Sequence, residues 1–132
     1  MTSRPRVLVA DDHAAMLDSL VQMLSSEFEV VATVSDGLAA VTTATQLRPD
    51  LLVLDIAMPG LNGIAAAARL REIGSTTKIV FVTNLQDREF AQEALAFGNV
   101  GFVAKHRLVA DLLPALRAVL AGQSFVSPCV PL

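Results

Sequence analysis

The chain has 132 residues, 53% of them hydrophobic and 17% charged, with a formal net charge of −3 and a pI near 5.2. That length suits one domain around one core, and the acidic balance leaves no electrostatic footprint for direct nucleic acid binding. No apolar run approaches the ~20 residues of a membrane span, the start "MTSRPR" lacks a secretory h-region, and the lone Cys129 can close no internal disulfide or metal cluster, so a cytoplasmic, reducing setting away from membranes is expected.

"RVLVA" (Arg6 to Ala10) reads as a strand, and Leu17, Leu20, Val21 and Leu24 follow at helical spacing. "EVVATV" (Glu29 to Val34) is a second strand; "SDG" (Ser35 to Gly37) is a turn or helix start, and Leu38, Val41 and Leu47 stripe a helix that Pro49 ends. Leu51 to Leu54 has no polar residue on either face, as befits a central parallel strand buried on both sides, yet it runs straight into Asp55. Met58, Pro59 and Gly60 then break the regular structure, leaving the carboxylate at the C-terminal edge of that strand. Asn62 can cap a helix through "GIAAAARLREIG", closed by Gly74. "KIVFVT" (Lys78 to Thr83) is the fourth strand, "DREFAQEALAFG" the fourth helix, "GFVA" (Gly101 to Ala104) the fifth strand. A last helix carries Leu112, Leu113, Leu116, Val119 and Leu120 before Gly122.

Five such βα units imply an α/β fold, a parallel sheet covered by helices on both faces, with the first and last helices sharing one face. Ligands of such sheets bind outside the carboxyl ends of the strands. Asp11 and Asp12 follow strand one, Asp55 ends strand three, Thr83 ends strand four and Lys105 follows strand five, so all five arrive at one rim. Alone, each has a plain explanation: a helix cap, a β-branched strand end, a solvated lysine. Asp55 resists one, because a carboxylate on a two-sided buried strand is costly without a partner.

Two carboxylates about 4 Å apart repel by roughly 4 kcal/mol at an effective dielectric near 20, and a third adds to this, so the cluster calls for a cation. Oxygen ligands without His or Cys clusters favour Mg2+ or a similar ion such as Mn2+, which commonly binds carboxylates together with a phosphate. Lys105 adds a positive charge, the Thr83 hydroxyl can donate to a phosphoryl oxygen, and Asp55 is suited to be a nucleophile that forms an acyl phosphate.

From "VLVADD" through "LLVLDIAMPGLNG" and "IVFVTN" to "GFVAK", the chain resembles the receiver domains of two-component response regulators. The resemblance implies a flavodoxin-like (CheY-like) five-stranded parallel sheet of order 2-1-3-4-5. It further implies phosphorylation of Asp55 by a sensor histidine kinase. It makes Asp12 a direct magnesium ligand, Asp11 a supporting acid acting mostly through water, and the Ala57 carbonyl another ligand. Lys105 would pair with Asp55 and then with its phosphate. Thr83 would move toward the phosphate and Phe102 turn inward behind it, coupling the site to helix four, strand five and helix five; Phe102 equally fits a plain core aromatic. The domain itself would be no enzyme beyond assisting its own phosphorylation and dephosphorylation.

Several positions depart from the commonest receiver pattern. His106 follows the lysine where proline is frequent, and without proline a trans peptide is expected. Asn84 stands where small residues are frequent and is placed to cover the site or bond the phosphate; His13, after the acid pair, is expected to face solvent, with the edge of the site as the alternative. Pro114 falls inside the last amphipathic segment, so helix five is expected to start late, with Asp111 as its N-cap, or to be kinked. "AVLAGQSFVSPCVPL" is similar to the end of receivers of the NarL/LuxR branch, where a linker leads to a helix-turn-helix domain. Residues 1–122 therefore read as the receiver and 123–132 as an extended extension, the whole as part of a longer transcription regulator rather than a stand-alone receiver. The apolar faces of helices one, four and five suit a homodimer. An aspartate-nucleophile phosphatase would usually carry a second acid at Ala57, and a nucleotide or flavin module would need a glycine-rich or hydroxyl-rich loop in place of "ADDHAA". The remaining alternative is a pseudo-receiver that acts by protein contact without phosphorylation.

Overall fold

The computed structural model describes residues 4–84 and 88–128. The expected start of the fourth helix at Asp87, and Cys129 and Pro131 of the tail, lie outside these residues. Strands β1 (Arg6–Ala10), β2 (Glu29–Val34), β3 (Leu51–Asp55), β4 (Lys78–Thr83), β5 (Gly101–Ala104) and β6 (Phe125–Val126) form one parallel sheet of order β2-β1-β3-β4-β5-β6. The expected five-strand order 2-1-3-4-5 is present, with a sixth strand added at the β5 edge.

Helices α1 (Ala14–Leu24), α2 (Gly37–Leu47), α3 (Gly63–Glu72), α4 (Arg88–Leu95) and α5 (Leu108–Leu120) cover the two faces. Because side chains alternate along a strand, each inner strand feeds two cores, which is why its sequence is apolar throughout. Leu8, Leu52, Leu54, Ile79, Phe81 and Phe102 pack with small residues of α2, α3 and α4, among them Ala40, Ala66 and Ala91. Val7, Val9, Val53, Val80, Val82 and Val103 pack on the opposite face with α1 and α5 through Leu20, Leu24, Leu112 and Leu116. The first and last helices thus share one face, as the crossover rule requires. Among the described residues, no helix is long and apolar enough to cross a membrane.

Local signals act as their chemistry dictates. Asp36 Oδ1 accepts the Ala39 amide at 2.7 Å to cap α2, and Asn62 Oδ1 accepts that of Ala65 at 2.9 Å to cap α3. Gly63, the first residue of α3, lies against the end of β3, where an added Cβ would collide with the Asp55 carbonyl oxygen. α3 can start this close to the sheet only with glycine there.

Helix five corrects an expectation. It begins at Leu108, directly after a 3-10 turn (Lys105–Arg107), and continues without interruption through Pro114; Asp111 is not its N-cap. Pro114 and Ala110, the residue whose carbonyl loses its intrahelical partner, both lie on the exposed face, where water can take the place of the missing bond. Asp111 instead points inward at 5% exposure. It accepts Arg107 Nε at 2.8 Å and the Ser127 hydroxyl at 2.7 Å.

The stretch read as an extension beyond Gly122 also turns back onto the sheet. Phe125 N donates to Val100 O at 3.1 Å and Ser127 N to Phe102 O at 2.9 Å, while Ser127 Oγ accepts the Ala104 amide at 3.1 Å. Ser127 thereby ties β6, α5 and the end of β5 together. All peptide bonds of the described residues are trans, Lys105–His106 included.

Candidate functional site

The sheet register assembles the rim. Ala10 pairs with Leu54, so one further residue on each strand sets Asp11 beside Asp55; Thr83 pairs with Ala104, so Lys105 emerges next to the end of β4. Asp11 is 0% exposed and Asp55 2%, and the Lys105 side chain is 6% exposed. Its Nζ lies 2.9 Å from Asp11 Oδ2 and 3.5 Å from Asp55 Oδ2. The ammonium thus serves both acids but stands nearer Asp11 than Asp55, the partner expected from sequence. Both acids are nearly cut off from water, so the one ammonium offsets two buried charges.

Neither Oδ2 has a partner aligned as a hydrogen bond, although both are buried. The remaining oxygens bond locally: Asp11 Oδ1 accepts the His13 amide at 2.9 Å, and Asp55 Oδ1 accepts the Ala57 amide at 3.3 Å. Ala57 is exposed in the loop that leaves β3. Burial pushes the Asp55 carboxyl up to about 6, with Lys105 opposing the rise and the Asp11 charge adding to it. Carboxyl groups raised in this way by burial and a like charge concentrate at functional sites.

Asp12 is exposed beside the buried pair. One ligating atom from each of Asp11, Asp12, His13 and Asp55 falls within 4.8 Å of the others, a grouping that could hold a metal ion. The donors are mostly hard oxygens, and two belong to buried carboxylates with unaligned lone pairs, so the residues fit a divalent cation. His13, expected to face solvent, does so with 68% of its side chain exposed while keeping Nδ1 at the edge of the cluster, 3.0 Å from Asp12 Oδ1. Its place directly after two acids was the available signal.

Thr83 is 1% exposed at the end of β4, and Phe102 is wholly buried in the core beneath α4. Asn84 is exposed just beyond Thr83. Sequence reasoning missed the Asp111–Ser127 pair, whose members are 16 residues apart with no local pattern linking them.

Residues 7–117 match the family model of the response regulator receiver domain. This chain belongs to that family. The receiver is 33% identical over 125 residues to the response regulator GacA of Pseudomonas viridiflava, a match covering 93% of this chain and 58% of GacA. Among solved structures it resembles a LuxR-family two-component response regulator from Aurantimonas sp. SI85-9A1, with a TM-score of 0.90, 29% identity and coverage of 97% of this chain and 93% of that one. It also resembles the signal receiver domain of the response regulator NarL from Mycobacterium tuberculosis, with a TM-score of 0.85, 27% identity and coverage of 92% and 100%. These matches place the receiver in two-component signalling, on the NarL/LuxR branch. It spans little more than half the length of the curated relatives it matches, 58% in the case of GacA.

Proposed function

We propose that this receiver is a cytoplasmic, phosphorylation-dependent switch in which Asp55 takes a phosphoryl group from the phosphohistidine of a sensor histidine kinase. The observation that carries the reading is the Asp55 carboxylate itself. It is 2% exposed, its Oδ2 has no aligned hydrogen bond, and the nearest cation, Lys105 Nζ, is 3.5 Å away. A carboxylate so placed has a free lone pair at a rim where charge can be neutralised.

Asp55 supplies an oxygen that forms the new P–O bond as the P–N bond to the kinase histidine breaks, and the electron pair leaves with the imidazole. Among the described residues, Lys105 is the one cation in contact with both buried acids, so it can follow the negative charge from Asp55 to the arriving phosphoryl oxygens. The Thr83 hydroxyl, at the neighbouring strand end, donates to a phosphoryl oxygen. Asp11, Asp12, Asp55 and the Ala57 carbonyl would hold Mg2+ or Mn2+, which supplies neutralisation of the clustered carboxylates and of the phosphoryl charge. The domain turns over no other substrate.

The signal leaves through β5. Lys105 adjoins Ala104, whose amide is held by Ser127, and Phe102 lies two residues earlier in the same strand. A shift of Thr83 and Lys105 toward a phosphate therefore acts on the α4–β5–α5 surface, biasing an existing equilibrium by the ~1–3 kcal/mol typical of coupled sites. The receiver extends past Gly122 through β6 and Ser127, which close its sheet, and the link to a helix-turn-helix output domain starts beyond them, so DNA is contacted by that domain and not by these residues. The same surface suits a homodimer formed on phosphorylation.

Intact-protein mass spectrometry after incubation with acetyl phosphate and Mg2+ tests the reading. One labile phosphoryl group on the wild type and none on Asp55→Asn is the expected result. An unmodified wild type under saturating donor would instead leave a protein-contact module that works without phosphate.

A further inference from the structure

His13 occupies the N-cap position of α1 but makes no side-chain cap bond, so its imidazole is not committed to the helix. It turns back toward the acids, with Nδ1 at 3.0 Å from Asp12 Oδ1 and 3.4 Å from Asp11 Oδ1. Two ligands on opposite sides of one ion, each at ~2.1 Å, are roughly 4.2 Å apart. The four candidate atoms of Asp11, Asp12, His13 and Asp55 already lie within 4.8 Å of one another. The cluster is more than a group of surface acids, because Asp11 Oδ2 and Asp55 Oδ2 are buried in it without an aligned hydrogen-bond partner.

A donor set of carboxylates alone suits magnesium. Imidazole changes that preference, because a nitrogen ligand adds little for Mg2+ and progressively more for later first-row ions. Building on the receiver reading above, we propose that His13 is a metal-selecting ligand: its nitrogen joins the oxygens of Asp11, Asp12 and Asp55 and tilts the site from Mg2+ toward later first-row ions such as Co2+ and Ni2+. Its 68% exposure fits this role, since an imidazole on the solvent side of the buried carboxylates meets an ion as it enters.

The competing role for the same contact is a positive counter-charge to Asp11 and Asp12. The two roles have opposite signs. A ligand strengthens binding of the ions that accept nitrogen, whereas a counter-charge competes with every cation. Titration calorimetry of the full chain and of His13→Ala with Mg2+ and with Co2+ separates them. Loss of a nitrogen ligand should weaken Co2+ binding by about tenfold or more while changing Mg2+ binding by less than about twofold. Pulsed electron paramagnetic resonance of the Mn2+-loaded wild type should show a nitrogen coupling that disappears in His13→Ala and persists in His106→Ala, which removes the other histidine. Thermal unfolding without metal checks that each variant is folded.

Tighter binding of both ions by His13→Ala, or an unchanged ratio of Co2+ to Mg2+ affinity, would overturn the assignment of His13 while leaving the phosphoacceptor site intact. Failure of the wild type to bind any of these ions would instead remove the metal site itself, and the proposal with it.

Discussion

Replacing Asp55 with asparagine should stabilise the protein at neutral pH even as it abolishes phosphorylation. Folding carries the Asp55 carboxyl from its ordinary 3.8 to about 6, chiefly by burial. At ~1.4 kcal/mol per pH unit, that corresponds to about 3 kcal/mol of destabilisation once the group is ionised in both states. The side chain is 3% exposed, so solvent screening takes little from this figure. The attraction of Lys105 is already contained in that value, and the ammonium keeps Asp11 at 2.9 Å in the variant. A net gain of about 1–3 kcal/mol is expected for Asp55→Asn at pH 7.5. The sign with pH follows from the raised value. The cost is fully present above about 6, shrinks as pH falls toward 3.8, and vanishes where the acid is protonated in both states. Urea denaturation of both proteins at pH 7.5 and at pH 4, with chelator present, measures the difference directly. A variant less stable than the wild type at pH 7.5, or a gain that persists undiminished at pH 4, would refute the idea that the fold holds this carboxylate at a cost.

Lys105→Met removes the ammonium from two buried acids and should cost about 3–5 kcal/mol in chemical denaturation at pH 7.5; a loss under 1 kcal/mol would mean the acids are compensated elsewhere. Asp111→Asn weakens the pairing with Arg107, the principal cause of this carboxyl's lowered pKa. A lowered folded value stabilises above the ordinary 3.8 and is lost as pH falls through the folded one, so the stability gap between wild type and Asp111→Asn should close on acidification, as pH-dependent urea melts would reveal. Ser127→Ala deletes the hydroxyl between Asp111 and the Ala104 amide. A loss of about 1–3 kcal/mol is expected, with faster hydrogen exchange at Ala104 as its local signature. Gly63→Ala forces a methyl group against the Asp55 carbonyl; about 1–3 kcal/mol of destabilisation should appear in thermal melts, and a neutral result would show that α3 can recede from the site.

The sheet was legible because burial on both faces leaves a strand no polar position until it reaches the rim. The first polar residue after each apolar run therefore marks the rim itself, and Asp11, Asp55, Thr83 and Lys105 were found that way. The register then did what no single segment could, because Ala10 opposite Leu54 and Thr83 opposite Ala104 bring those four strand ends to one level. What stayed illegible depends on direction and distance across the fold. Pro114 breaks a rule of helix interiors, but the rule assumes that the lost bond matters, and on the exposed face of α5 it can go to water. β6 has two residues, too few for any alternation to show. Its hold on the sheet comes from Ser127, whose partners Asp111 and Ala104 lie on other elements. The closer approach of Lys105 to Asp11 than to Asp55 likewise depends on where the strand ends stand once the sheet has closed. Local chemistry thus announced which residues meet at the rim, while the division of one ammonium between two acids, and the tie from that rim to the C-terminal strand, are properties of the assembled fold.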